Sequence, residues 1–140
     1  MRKEINVLSF NAVSRTPFGH HIATKGEREI YAILSLNKEP FKFDEPPESN
    51  PCYPDGGSFR FDFQLPKRNI FIEYDGEQHF YPVAKYGGVK GFEKRQLDDK
   101  YKNQWCKERN IILIRIPYTK LGKITFADLI NIENNDFRVV

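Results

Sequence analysis

The chain has 140 residues, one domain's length and enough to bury a core. Its 22 Lys and Arg stand against 19 Asp and Glu, a net charge of +3 that is too mild to imply a nucleic-acid partner by itself. Two distant cysteines, Cys52 and Cys106, form no CxxC pair, which argues against a zinc finger and favours free thiols in a reducing compartment. There is no apolar run of membrane-spanning length and no signal-like segment, so a cytoplasmic protein without a membrane partner is expected.

Residues 1–23 read as an N-terminal arm with a short strand over 5–10, followed by a loop holding Pro17, Gly19, His20 and His21. The two histidines match no motif and read as surface residues or DNA contacts. Thr24 and Glu27 have the form of a capping box, which predicts a helix to about Asn37 with Ile30, Ile33 and Leu34 on its buried stripe. Five of the nine prolines fall in 38–57, so that segment is loop apart from a short strand around Phe41 and Phe43. Strands follow over 58–65 and 69–75. Gly87, Gly88 and Gly91 predict a flexible loop, and a long helix should span 92–109. Residues 111–116 are apolar except for Arg115 and read as a buried strand, with Arg115 paired to an acid. Thr125 should cap a last helix holding Phe126, Leu129 and Ile130. The order gives an α/β fold, a mixed central β-sheet flanked by helices in a single domain over 24–140.

The chemistry concentrates between Phe59 and His79. Side chains alternate along a strand, so Ile70, Ile72 and Tyr74 face one way and Phe71, Glu73 and Asp75 the other. Two acids on one face of so apolar a strand need a metal ion, a basic partner or the open end of a sheet. Asp62 lies before the turn at 65–69 and can fold back beside Glu73, which makes an oxygen-rich pocket suited to Mg²⁺. The alternative for Asp62 is a cap or an ion pair with Lys67 or Arg68. Asp75 with Gly76 also suits the turn that ends the strand. Lys85, Lys90, Lys94, Arg95, Lys100, Lys102, Lys107 and Arg109 share one stretch with Tyr86, Phe92, Tyr101 and Trp105. Such a stretch suits a phosphate backbone, or a solvated helix face whose rings are core.

The segments FDFQLP, IEYDGEQHF, Asp99-x-x-Lys102 and LIRIPY, in this order, resemble a branch of the PD-(D/E)XK nuclease superfamily. The branch is that of the very-short-patch repair endonucleases and the phage homing endonucleases of the EDxHD type. The resemblance covers residues 24–118. It implies a restriction-endonuclease-like core and Mg²⁺- or Mn²⁺-dependent hydrolysis of a phosphodiester in double-stranded DNA, leaving a 5′ phosphate. Asp62 falls at the first metal-binding acid and Glu73 at the second. Asp75 stands where the superfamily motif expects lysine, a departure that also leaves Asp75 as a metal ligand. In the EDxHD branch a histidine and a distant aspartate replace that lysine, and His79 and Asp99 fit those positions, with Asp98 a competitor. Glu27 matches the first-helix glutamate, with Glu29 the alternative. Lys102 stands either to stabilise phosphate charge, to contact the backbone, or to pair with Asp99 one turn away. Gln78 suits a bound water or phosphate, and Lys85, Lys90, Lys94 and Arg95 suit the DNA backbone. The role is a homing or nicking endonuclease, a repair nickase, or a DNA-binding module that has lost turnover. Cutting both strands would need a homodimer or two successive events. For a phage protein the setting is the host cytoplasm.

Overall fold

The computed structural model describes residues 23–140, so the expected arm, its strand at 5–10 and His20 and His21 lie outside the described residues. Four strands form one sheet in the order β1 (Lys42–Glu45), β2 (Phe61–Leu65), β3 (Ile70–Asp75) and β4 (Ile112–Pro117). The first two pairings are antiparallel and β3 runs parallel to β4, so the sheet is mixed. Helices α1 (Lys25–Leu36), α2 (Gly88–Glu108) and α3 (Phe126–Ile130) flank it. A parallel pair needs a crossover, and α2 supplies it between β3 and β4.

β3 is the strand covered on both faces, which is why it reads as nearly continuous apolar sequence. Ile70 and Ile72 meet Ile30 and Leu34 of α1 and Leu129 of α3 in one core cluster. Phe71 faces the opposite cluster with Phe59, Phe61, Leu113 and Trp105 and Cys106 of α2. The expected alternation therefore holds along β3. On β2 it breaks. Phe61 and Phe63 are two residues apart, yet they belong to clusters on opposite faces. The strand rotates at Asp62, and the β2–β3 register ends at Phe63 opposite Ile72. Across the sheet at the same level, Asp44 of β1 takes φ +54°, a left-handed conformation in mid-strand.

The capping boxes are as read. Thr24 Oγ1 accepts from the Glu27 N–H at 3.2 Å and Glu27 Oε1 accepts from the Thr24 N–H at 3.0 Å. Thr125 and Asp128 repeat the pattern at α3. β2 is shorter than the expected 58–65, because Ser58 instead forms an isolated bridge with Cys52. The glycine segment is also a correction. It is no flexible loop: a 3₁₀ turn Ala84–Tyr86 leads through Gly87, at φ +93°, into α2, which starts at Gly88 rather than at residue 92. Gly91 lies inside the helix because a Cβ there would sit 2.1 Å from the Tyr86 carbonyl oxygen. Cys52 and Cys106 are free thiols, and burial pushes Cys106 up to about 12. No helix among the described residues is long and apolar enough to cross a membrane.

Candidate active site

Where the β2–β3 ladder stops, two carboxylates take over its hydrogen bonds. The Asp62 N–H donates to Glu73 Oε2 at 2.8 Å, and the Tyr74 N–H donates to Asp62 Oδ2 at 2.8 Å. Side chains thus satisfy backbone donors that the splayed strands leave without partners. This brings Asp62 and Glu73 together as the sequence implied, and it disposes of Lys67 and Arg68 as partners for Asp62. Arg68 pairs instead with Glu39 at 3.0 Å.

A cavity of about 420 Å³ opens at this point, by the carboxyl end of β3. Ligands gather at such strand ends in open α/β sheets. Its walls carry Glu27 from the first turn of α1, Asp62, Glu73, and Gln78 and His79 from the 3₁₀ turn Glu77–His79. Lys25 and Lys85 also line it. Glu29 does not belong to it, because its carboxylate accepts from the Gly122 and Ile124 N–H groups at 2.7 and 3.2 Å. The alternative between Glu27 and Glu29 therefore resolves to Glu27.

Burial and the charges of Glu73 and Glu27 raise the Asp62 carboxyl well above the usual range, against the pull of the Tyr74 N–H and Lys102. Three acids thus line one cavity. Lys102 reaches one of them: its ammonium donates to Glu73 Oε1 at 3.1 Å and to the Arg60 carbonyl. Lys102 therefore pairs with Glu73 and not with Asp99. Among the described residues no three His, Cys, Asp or Glu side chains stand in metal-holding geometry. Mg²⁺ commonly takes one or two carboxylates and completes its shell with water and substrate oxygens. Asp62 and Glu73, two adjacent carboxylates with hard oxygen donors at an open cavity, fit that habit.

His79 joins this cavity to a second network. Its Nδ1 donates to Asp99 Oδ2 at 2.8 Å, which fixes the proton on Nδ1 and leaves Nε2 as the basic nitrogen. Asp98 is excluded from this role, since it pairs with Lys94 at 3.2 Å. Arg115 holds the far side of the network. Its guanidinium reaches Asp75 at 2.9 Å, Asp99 at 3.5 Å and the Asn103 side-chain oxygen at 2.9 Å. The structure places Asp75 against Arg115 and outside the cavity lining, apart from Asp62 and Glu73. Burial raises Asp75 to about 6, with Arg115 and His79 acting in the opposite sense.

The DNA-binding set divides. Gln78 and Lys85 line the cavity; Lys90 and Lys94 line a separate groove of about 1380 Å³ along α2 and β4. Lys94 is held between Asp55 and Asp98, and Arg95 donates to the Tyr86 carbonyl at 2.6 Å. Lys90, Lys94 and Arg95 thus lie outside the lining of the acid cavity. Sequence reasoning missed Arg115 as the hub joining Asp75, Asp99 and Asn103. It also missed Tyr74, Tyr86 and Tyr118 as cavity walls.

No protein-family model matches the chain, and no solved structure matches it. It is similar to Uncharacterized protein 307L of Invertebrate iridescent virus 6, at 29% identity over 110 residues. That match covers 72% of this chain and 56% of the viral protein, so the chain spans little more than half of its relative's length.

Proposed function

We propose that the chain is a metal-dependent DNA endonuclease, of the phage homing or site-specific nicking kind, with a restriction-endonuclease-like core. The observation that carries this reading is the His79–Asp99 pair at 2.8 Å on the wall of a cavity that also gathers Glu27, Asp62 and Glu73. A carboxylate cluster beside an oriented imidazole suits hydrolysis of a phosphodiester. The viral relative is compatible with a host-cell setting.

In this reading Asp62 and Glu73 hold a Mg²⁺ or Mn²⁺ ion, and Glu27 adds negative charge beside them. When bound, the ion neutralises phosphate charge and lowers the pKa of water at the scissile bond. His79 Nε2 accepts the proton of the attacking water, and Asp99 stabilises the imidazolium that forms. Arg115 holds Asp99 in place. Lys102 holds the Glu73 carboxylate in one orientation, so its role is positioning rather than contact with phosphate. Gln78 and Lys85 bind the phosphate or its neighbours. One site cuts one strand, and a double-strand cut requires a second copy or a second event.

Asp75 in the place of the motif lysine favours, as a second reading, a DNA-binding module without turnover. Incubation of supercoiled plasmid with the full chain separates the two. The nuclease reading predicts nicked or linear product in Mg²⁺ or Mn²⁺, none in EDTA, and a rate lowered about 10²–10⁴-fold by His79→Ala. DNA binding without cleavage, on a plasmid pool of diverse sequence and in either metal, would leave the module.

A further inference from the structure

The rim of the acid cavity is aromatic rather than basic. Tyr86 and Tyr118 line the cavity itself. Beyond Tyr118, the Phe80 and Tyr81 rings continue the surface, with centroids 5.6 and 6.5 Å from that of Tyr118. Phe80 is 49% exposed, and Tyr81 and Tyr86 are each 42% exposed. Large rings usually find a core, and contiguous exposed ones mark a binding surface. Phe80 and Tyr81 follow directly on His79 in the chain, so whatever covers them lies beside the reacting groups.

Three cations of α2 are already engaged within the protein. Lys94 is neutralised by Asp55 and Asp98, Lys102 by Glu73, and Arg95 is tied to the Tyr86 carbonyl. At the cavity Lys25 and Lys85 remain, and among the described residues neither pairs with a carboxylate. Lys85 and Arg95 lie 5.2 and 5.8 Å from the centre of the Tyr86 ring, which makes that ring part of a cationic stack. A few cations interleaved with exposed rings are the features that bind a strand by its bases, since every base has a stacking face.

Resting on the nuclease reading, we propose that Phe80, Tyr81, Tyr86 and Tyr118 form a stacking platform for unpaired bases, and that the site takes DNA with a single-stranded segment at the cut. Such substrates are gaps, flaps or frayed ends. Lys25 and Lys85 would engage roughly two phosphates, so the salt dependence of single-strand binding is shallow, with a log–log slope of about −1.4.

The test is fluorescence anisotropy of the full chain, in EDTA, with labelled single-stranded, duplex and 5′-flap oligonucleotides of one sequence. The expected result is tighter binding of single strand and flap than of duplex. The double variant Phe80→Ala/Tyr81→Ala should weaken single-strand binding about tenfold and leave duplex binding unchanged, and Phe80→Trp should retain it. Equal binding of all three DNAs, or loss that Phe80→Trp does not spare, overturns the platform. Metal-dependent cleavage of the same oligonucleotides is read separately. Cleavage with no single-strand preference overturns the platform alone, whereas stacking without cleavage leaves the platform standing and counts against the nuclease.

Discussion

At Gly26 an added Cβ would lie 2.1 to 2.3 Å from three ring atoms of Tyr74. The ring therefore rests on the first turn of α1, where Glu27 enters the cavity, and only glycine leaves room for it. Gly26→Ala should destabilise the fold by about 1–3 kcal/mol through overpacking, readable in a denaturant titration. The two adjacent aspartates of α2 allow a sharper comparison. Asp99→Asn removes the charge that orients and stabilises His79, and cleavage should fall at least about 10²-fold. Asp98→Asn loses only a surface pair with Lys94 and should leave the rate within about twofold. Equal losses from both would separate the imidazole from Asp99. The meeting of Asp62 with Glu73 and of His79 with Asp99 was legible because each is an unusual residue type in its setting, and a short motif fixed their order. The partner of Lys102 was not. Its position suggested Asp99 on the same helix, but its ammonium reaches Glu73 of β3, 29 residues away.

Among elements, strand and helix identities followed from alternation and caps, while boundaries failed where glycines carry tertiary meaning. Gly87, Gly88 and Gly91 look like a loop in isolation. The structure uses Gly91 for the close passage of the Tyr86 carbonyl, so the helix begins earlier than its polar sequence suggests. The rotation of β2 at Asp62 was also hidden, because FDFQL has the regular alternation of an ordinary strand. It coincides with the left-handed Asp44 on the neighbouring strand, a feature 18 residues away in sequence. Arg115 of β4 braces α2 to the sheet through Asp75, Asp99 and Asn103. Arg115→Met should cost about 3–5 kcal/mol, because it strands two buried or half-buried carboxylates. The double variant Arg115→Met/Asp75→Asn should recover part of that loss, a coupling that a double-mutant cycle of unfolding free energies would measure.

For the whole molecule the acid cavity is a store of unfavourable charge. Asp62 and Asp75 both have carboxyl groups raised in the folded state, Asp75 to about 6. A group whose folded value exceeds its unfolded one binds more protons when folded, so stability is lost as pH rises through that range. In EDTA the melting temperature should therefore carry a falling contribution from these two acids above about pH 4. Mg²⁺ held by Asp62 and Glu73 should offset the Asp62 part at neutral pH, adding about 1.4 kcal/mol for each tenfold excess over the dissociation constant. A melting temperature indifferent to Mg²⁺ at neutral pH would leave the acids without a bound ion.

Asp62→Asn isolates the central claim. Asparagine keeps the acceptor for the Tyr74 N–H and places its amide among the Glu27 and Glu73 carboxylates, so the fold has no reason to fail. The decisive measurement is the melting temperature of wild type and Asp62→Asn at neutral pH, with and without Mg²⁺, beside their cleavage rates on one DNA pool. The account predicts a variant that melts higher than wild type in EDTA, loses the Mg²⁺-dependent rise and no longer cleaves. A variant that melts lower, keeps its response to Mg²⁺ and cleaves like wild type would contradict it.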